Sequence, residues 1–246
     1  MEVHHHPEVE KKGFKEYVLE GLMIFLAVTM GFFAESLREH ISNKEKGHQF
    51  IVSLMADLKS DTAKMNDYFI DQPKHVDNYK MLLNWLDQPL RNDTAFRSQF
   101  YKSALSTLGY SSVNFTDRII SQLKNSDNFR LIVNQRVADA IMDYSIGTIA
   151  CDRQREVVNH FTEEGYKQIM GMINLKAYKD RTFDGRKKLG DNTVAFISTD
   201  QKVVLAYSNS IYLKASVERN YTRRIKEQLQ RAIKLIELLK KEYDLE

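Results

Sequence analysis

The stretch that decides the fold runs from Val18 to Ala34, VLEGLMIFLAVTMGFFA, seventeen residues in which Glu20 is the one charge. At ~1.5 Å per residue a helix of that length covers about 25 Å, a little less than the ~30 Å hydrocarbon core of a bilayer. Tyr17 lengthens it at one end and Leu37 at the other, so 17–37 reads as a transmembrane helix. Phe14 and Tyr17 fall where amphipathic rings settle at an interface, with Lys11, Lys12 and Lys15 just outside. Three other readings weigh less. A core helix is seldom apolar on every side over four turns. A cleaved signal peptide needs a small-residue cleavage site after its apolar run, whereas Phe33 leads into AESLREHISNKEK, which continues as helix. A helix lying on the membrane surface needs a charged face, and this one has none. The expectation is an uncleaved signal-anchor with a single span.

Orientation is nearly balanced: Lys11, Lys12 and Lys15 lead the span, and Arg38, Lys44 and Lys46 follow it. The amino terminus and His4 to His6 tip the reading toward an internal N-terminus, with the bulk of the chain on the periplasmic side of a bacterial inner membrane. A cytoplasmic body is the alternative. Within the span, Glu20, Ile24, Ala27, Gly31 and Glu35 recur at steps of three and four and share one helical face. Ala27 and Gly31 form a small-xxx-small pair through which another backbone can approach, so this face is expected to pack on a copy or on another membrane protein. The competing account is that small residues occur there by composition, and that Glu20, one turn from Tyr17, snorkels to the headgroups.

Outward from the span the helical signal continues. Ile51, Leu54, Leu58, Met65 and Phe69 repeat at helical spacing, which predicts a rod over 38–70 with Gly47 as its weak point. Asp71-Gln72-Pro73 is expected to end it, because proline belongs in a first helical turn. A bundle over 71–176 follows. It comprises a helix with Tyr79, Leu82, Leu83 and Leu86, another over about 93–108 capped by Asn92-Asp93-Thr94, a short one capped by Thr116, and two more from the repeats at 131–146 and 148–174. Residues 177–199 hold Gly185, Gly190 and the cluster Arg186-Lys187-Lys188, and close on the β-branched run Thr193 to Ile197, which reads as a loop with room for one brief strand.

The strongest periodicity lies in 200–246. Ile211, Ala215, Glu218, Thr222, Ile225, Leu229, Ala232, Ile236, Leu239 and Tyr243 alternate steps of four and three, a heptad pattern. Ile211, Ala215, Ile225, Leu229, Ala232, Ile236 and Leu239 are the expected seam of a coiled-coil-like helix, packing on the bundle or on another subunit. The fold class is therefore all-α. A short tail at 1–16 and the membrane helix lead into a rod, and a soluble helical bundle with a long C-terminal helix completes the chain.

The segment EGLMIFLAVTMGFFAESLREH (20–40), with FIVSLMADLKSDT (50–62) and SQLKNSDNFRLI (121–132), resembles an uncharacterised family of single-span, helical membrane-anchored proteins common in Bacteroidota. The resemblance covers most of the chain. It implies an inner-membrane anchor and a periplasmic soluble part, and it brings no activity with it.

Composition and motifs exclude more than they assign. Among 246 residues there is one cysteine, Cys151, so neither an internal disulfide nor a cysteine-based zinc site can form. All three prolines, Pro7, Pro73 and Pro89, lie in the first 89 residues. Lys+Arg number 36 against Asp+Glu 33, and 200–246, with 10 basic and 7 acidic residues, carries the whole excess. Nucleic-acid binding would want a denser basic patch with aromatics interleaved. Glu156 and His160 share a helical face with Glu163 and Glu164 one turn on, but a di-iron bundle needs Glu-x-x-His on two helices and two more glutamates, so these read as a solvated face. Cys151 reads as a small core residue. No phosphate loop, nucleophile elbow or HExxH occurs, and no enzyme activity, metal or cofactor is expected. The functional expectation is a structural or interaction protein, either a homo-oligomer or an accessory subunit of a cell-envelope complex, whose partners are the bilayer, itself or another membrane protein. The alternative is a periplasmic helical-bundle ligand sensor that signals through the membrane-proximal helix near His40 to His48.

Overall fold

In a computed structural model, which describes residues 13–125, 127–174 and 195–245, the chain is all-helical, and the described residues contain no strand. The helices are α1 (Phe14–Leu86), α2 (Thr94–Ser106), α3 (Arg118–Asn125), α4 (Gln135–Ile169) and α5 (Gln201–Tyr243), with a 3₁₀ turn at Asp127–Leu131. The chain divides into two compact units, residues 1–50 and 51–246. The basic tail residues Lys11 and Lys12, His4 to His6 and most of the 177–199 loop lie outside the described residues.

In unit 51–246 two expected breaks do not occur. α1 runs through Pro73 to Leu86, so the rod does not stop at 70. A proline inside a helix removes one hydrogen bond and costs ~3 kcal/mol. Packing on both sides outweighs that loss, because Leu54, Leu58 and Met65 before the proline and Tyr79, Leu82 and Leu86 after it are all buried. The repeats at 131–146 and 148–174 also form one helix, α4, which passes straight through Gly147. A mid-helix glycine costs only ~1 kcal/mol, and here its bare Cα makes room for a neighbour: a Cβ at Gly147 would lie 1.9 Å from Gln228 Oε1.

Caps explain the remaining ends. Asp93 takes up the Phe96 N–H at 2.9 Å and starts α2, while Asp200 accepts from the Lys202 N–H at 2.9 Å and starts α5. α5 ends on Asp244 in the left-handed conformation, φ 51°, a shape that the short aspartate side chain tolerates. Thr116, expected to cap α3, instead gives its N–H and hydroxyl to Asp61.

α4 and α5 pack antiparallel, since Asn134 pairs with Glu242, Asp143 with Arg231 and Gln154 with the Val217 carbonyl. The brief strand expected before 199 is a single antiparallel bridge, Ile173 to Phe196, fixed by Ile197 N–H donating to the Met172 carbonyl at 2.8 Å. That bridge borders an apolar cluster in which Tyr79, Leu82 and Leu86 of α1 meet Phe100 and Tyr101 of α2, Ile169, and Tyr207 and Ile211 of α5.

Candidate functional site

Two regions carry the features that sequence reading singled out. In unit 1–50, α1 contains the one stretch among the described residues that is long and apolar enough to cross a membrane, and none of that stretch is buried. Phe25 is 65% exposed, Met30 70% and Phe32 74%. Glu20, Ile24, Ala27, Gly31 and Glu35 are all exposed. A Cβ at Gly31 would meet no atom within 4 Å, in contrast to Gly147. Thr29 donates its hydroxyl to the Phe25 carbonyl at 2.8 Å, the same bond back one turn that Thr62, Thr148, Thr162 and Thr222 make. Glu35 is bridged by Arg38 through Nε at 2.9 Å and Nη2 at 2.5 Å.

In unit 51–246 the C-terminal seam is real but shifted. Ile211, Glu218, Ile225, Ala232 and Leu239 are buried as expected from their spacing. The positions between them are not Ala215, Leu229 and Ile236, which are half-buried, but Lys214, Tyr221, Gln228 and Leu235 one residue earlier. With Tyr207 these continue an unbroken 4-3 alternation over Tyr207–Leu239. All ten positions are covered within one chain.

Most polar groups at that seam meet specific partners, although the Tyr207 hydroxyl and Gln228 Oε1 are buried with no hydrogen-bond partner among the described residues. Gln228 donates to the Tyr144 carbonyl at 2.8 Å and to Thr148 Oγ1 at 3.0 Å. Tyr221 accepts the Val113 N–H at 2.9 Å. Lys214 donates to the carbonyls of Thr107 and, at 3.0 Å, Gly109, and its Nζ lies 3.8 Å from Glu218 Oε1. Glu218 in turn accepts the Tyr79 hydroxyl at 2.6 Å. Burial, only partly offset by Glu218, pushes the Lys214 ammonium down to about 8, and burial raises the Glu218 carboxyl above the ordinary glutamate range. A second cluster centres on Asp61, which is 1% exposed and accepts from Tyr144 at 2.8 Å, from Thr116 N–H and Oγ1 at 2.9 Å each, and from Lys64 at 3.1 Å. Asp57, one turn earlier, holds Arg118 at 2.9 Å.

Sequence reading missed Asp57, Asp61, Lys214, Tyr221 and Gln228. The available signal was the seven-residue spacing of Lys214, Tyr221, Gln228 and Leu235, which an apolar template passes over because three of the four are polar.

No chemistry emerges from the other candidates. Glu156, His160 and Glu163 are exposed, and among the described residues no group of three or more His, Cys, Asp or Glu could hold a metal ion. Cys151 is buried at 1% exposure, and burial pushes its thiol up to about 12, far from the thiolate a nucleophile needs. Comparison with known proteins gives no match, whether to a family model, a curated protein or a solved structure.

Proposed function

We propose that this chain is a membrane-anchored interaction protein of a bacterial cell envelope, with 17–37 crossing the inner membrane and the helical unit 51–246 on the periplasmic side. One observation carries the reading: an apolar helical surface, four turns long and exposed all round among the described residues. Water tolerates small apolar patches, but not a continuous sleeve of Leu, Ile, Phe, Met and Val. The resemblance to single-span proteins of Bacteroidota supports the same assignment.

Assembly, as a homo-oligomer or beside another membrane protein, is assigned to the exposed stripe Glu20, Ile24, Ala27, Gly31 and Glu35. The α5 seam is a weaker basis for it, because that face is covered inside its own chain. Mass measurement of the detergent-solubilised native complex tests assembly: more than one chain is expected, and Gly31→Leu should reduce it. A strict monomer with no co-purifying protein would overturn assembly. Orientation is read by introducing Asn220→Cys at an exposed position, since buried Cys151 stays silent. Labelling by an impermeant thiol reagent in spheroplasts with intact inner membranes is expected. Labelling only after permeabilisation would place the body in the cytoplasm.

A further inference from the structure

Residues 74–106, the last turns of α1 and all of α2, make a helical hairpin with cohesion of its own. Asn78 Nδ2 donates to the Ser103 carbonyl at 3.1 Å and to Ser106 Oγ at 2.7 Å, and Ser103 Oγ returns a bond to Asn78 Oδ1 at 2.5 Å. Trp85 stacks edge-on against Phe96 at 5.4 Å and lies 6.2 Å from Phe100. At the base of the hairpin Pro73 deprives the α1 ladder of one hydrogen bond, so the helix is weakest where a hinge would be.

The fastening of the hairpin to α5 is different in kind. Beyond apolar contact it consists of Tyr79 donating to Glu218 and of the carbonyls of Thr107 and Gly109 just past α2, both gripped by Lys214. Both chain ends of the hairpin are thus held on α5 by two ionisable side chains one turn apart, each at most 9% exposed. Tyr101 within it accepts the Asn174 N–H at 3.1 Å and donates to the Ala195 carbonyl at 3.0 Å, bonds that carry no titratable partner. We propose that the 74–106 hairpin lifts from α5 as a unit, and that the Lys214–Glu218 pair is the lock whose charge state sets how often it does so.

The sign follows from desolvation. In the closed state both ions are withheld from water, and in the open state they regain it, so closure favours their neutral forms. Lys214, held down at about 8 when closed, returns to the ordinary lysine range near 10.4 when open. Raising the pH through that window therefore strengthens closure, and lowering it through the raised range of Glu218 does so from the acid side. The lock is weakest between the raised range of Glu218 and the Lys214 window that begins at about 8. Other ionisable groups facing the pair are His75, Tyr68 and Tyr79 of α1, Tyr110 after α2, and Tyr207 and Tyr221 of α5, with Arg155 of α4 beside Tyr110 and Tyr221. Burial keeps Tyr68 up at about 12 and raises the other tyrosines as well.

Hydrogen–deuterium exchange on the full chain in detergent, corrected for the intrinsic pH dependence of amide exchange, tests this. Amides of 78–86 and 96–106 should exchange at least ~10-fold faster than those of 54–66 and 141–165 at pH 7, and their protection should rise about tenfold by pH 9. Lys214→Met should abolish that rise. One shared protection factor and pH slope across both sets of amides, or a rise that persists in Lys214→Met, would overturn the proposal. Should Lys214→Met fail to fold, the comparison of the two amide sets in the unsubstituted chain decides alone.

Discussion

The stretch 18–34 and helix α5 invert one another. In the first, every large apolar side chain is exposed among the described residues; in the second, lysine, glutamate, glutamine and tyrosine sit at heptad positions inside. The rule that apolar residues go in and polar residues go out fails in both, for opposite reasons. Outward Phe and Leu are stable when the surrounding solvent is lipid. Inward Lys214, Glu218 and Gln228 are stable because named partners replace the water they lost. On the proposed reading the first region is defined by its solvent and the other by its hydrogen bonds, and substitutions should separate them.

The largest expected effect is in the polar interior. Asp61→Ala leaves the Tyr144 hydroxyl and the Thr116 N–H without their acceptor and should cost ~3–5 kcal/mol of stability, read from the midpoint of denaturant unfolding. Lys64 adds little, since its side chain is 39% exposed and well screened. A loss under ~1 kcal/mol would mean the cluster is not the fastening that its geometry describes.

Next comes a charge in the apolar stretch. Val28→Arg should cost ~2.5–3.5 kcal/mol of membrane insertion and lower the membrane-integrated fraction, while leaving the unfolding midpoint of the helical body unchanged. An unchanged membrane fraction would argue that lipid does not surround this residue.

Two glycines sharpen the contrast further. Gly147→Ala places a methyl 1.9 Å from Gln228 Oε1, forces that side chain off its bonds to Tyr144 and Thr148, and should cost ~1–3 kcal/mol. Gly31→Ala meets nothing within 4 Å and should cost nothing, the removal of a mid-helix glycine instead favouring the helix by ~0.5–1 kcal/mol. The smallest effect is Glu35→Ala: its pair with Arg38 is fully exposed, and losing it should leave the thermal unfolding midpoint unchanged.

Much of this architecture was legible from local signals. Hydropathy located the apolar stretch, and the 4-3 alternation located α5 and half of its buried face. Asp93 announced the start of α2 because a side-chain cap is a local interaction. What local signals could not carry was the effect of partners distant in sequence. Pro73 reads as a break until Tyr79, Leu82 and Leu86 are seen packed beyond it, and Gly147 reads as a weak point until Gln228, eighty-one positions later, is found against it. Asp61 shows nothing in sequence that distinguishes it from a solvated aspartate, since its donors come from residues 116 and 144. At Ala215, Leu229 and Ile236 it is the residue before that is buried, for the same reason. Ala215, Leu229 and Ile236 are the better apolar choices, and only tertiary hydrogen bonding brings Lys214, Tyr221 and Gln228 inward ahead of them.

Alkaline carbonate extraction of membranes from cells making the full-length chain, with N-terminal sequencing of the recovered protein, tests the anchor most directly. The chain should stay in the membrane pellet, dissolve only in detergent, and retain residues 18–34. Recovery in the aqueous supernatant, or a mature N-terminus beyond Ala34, would contradict the account.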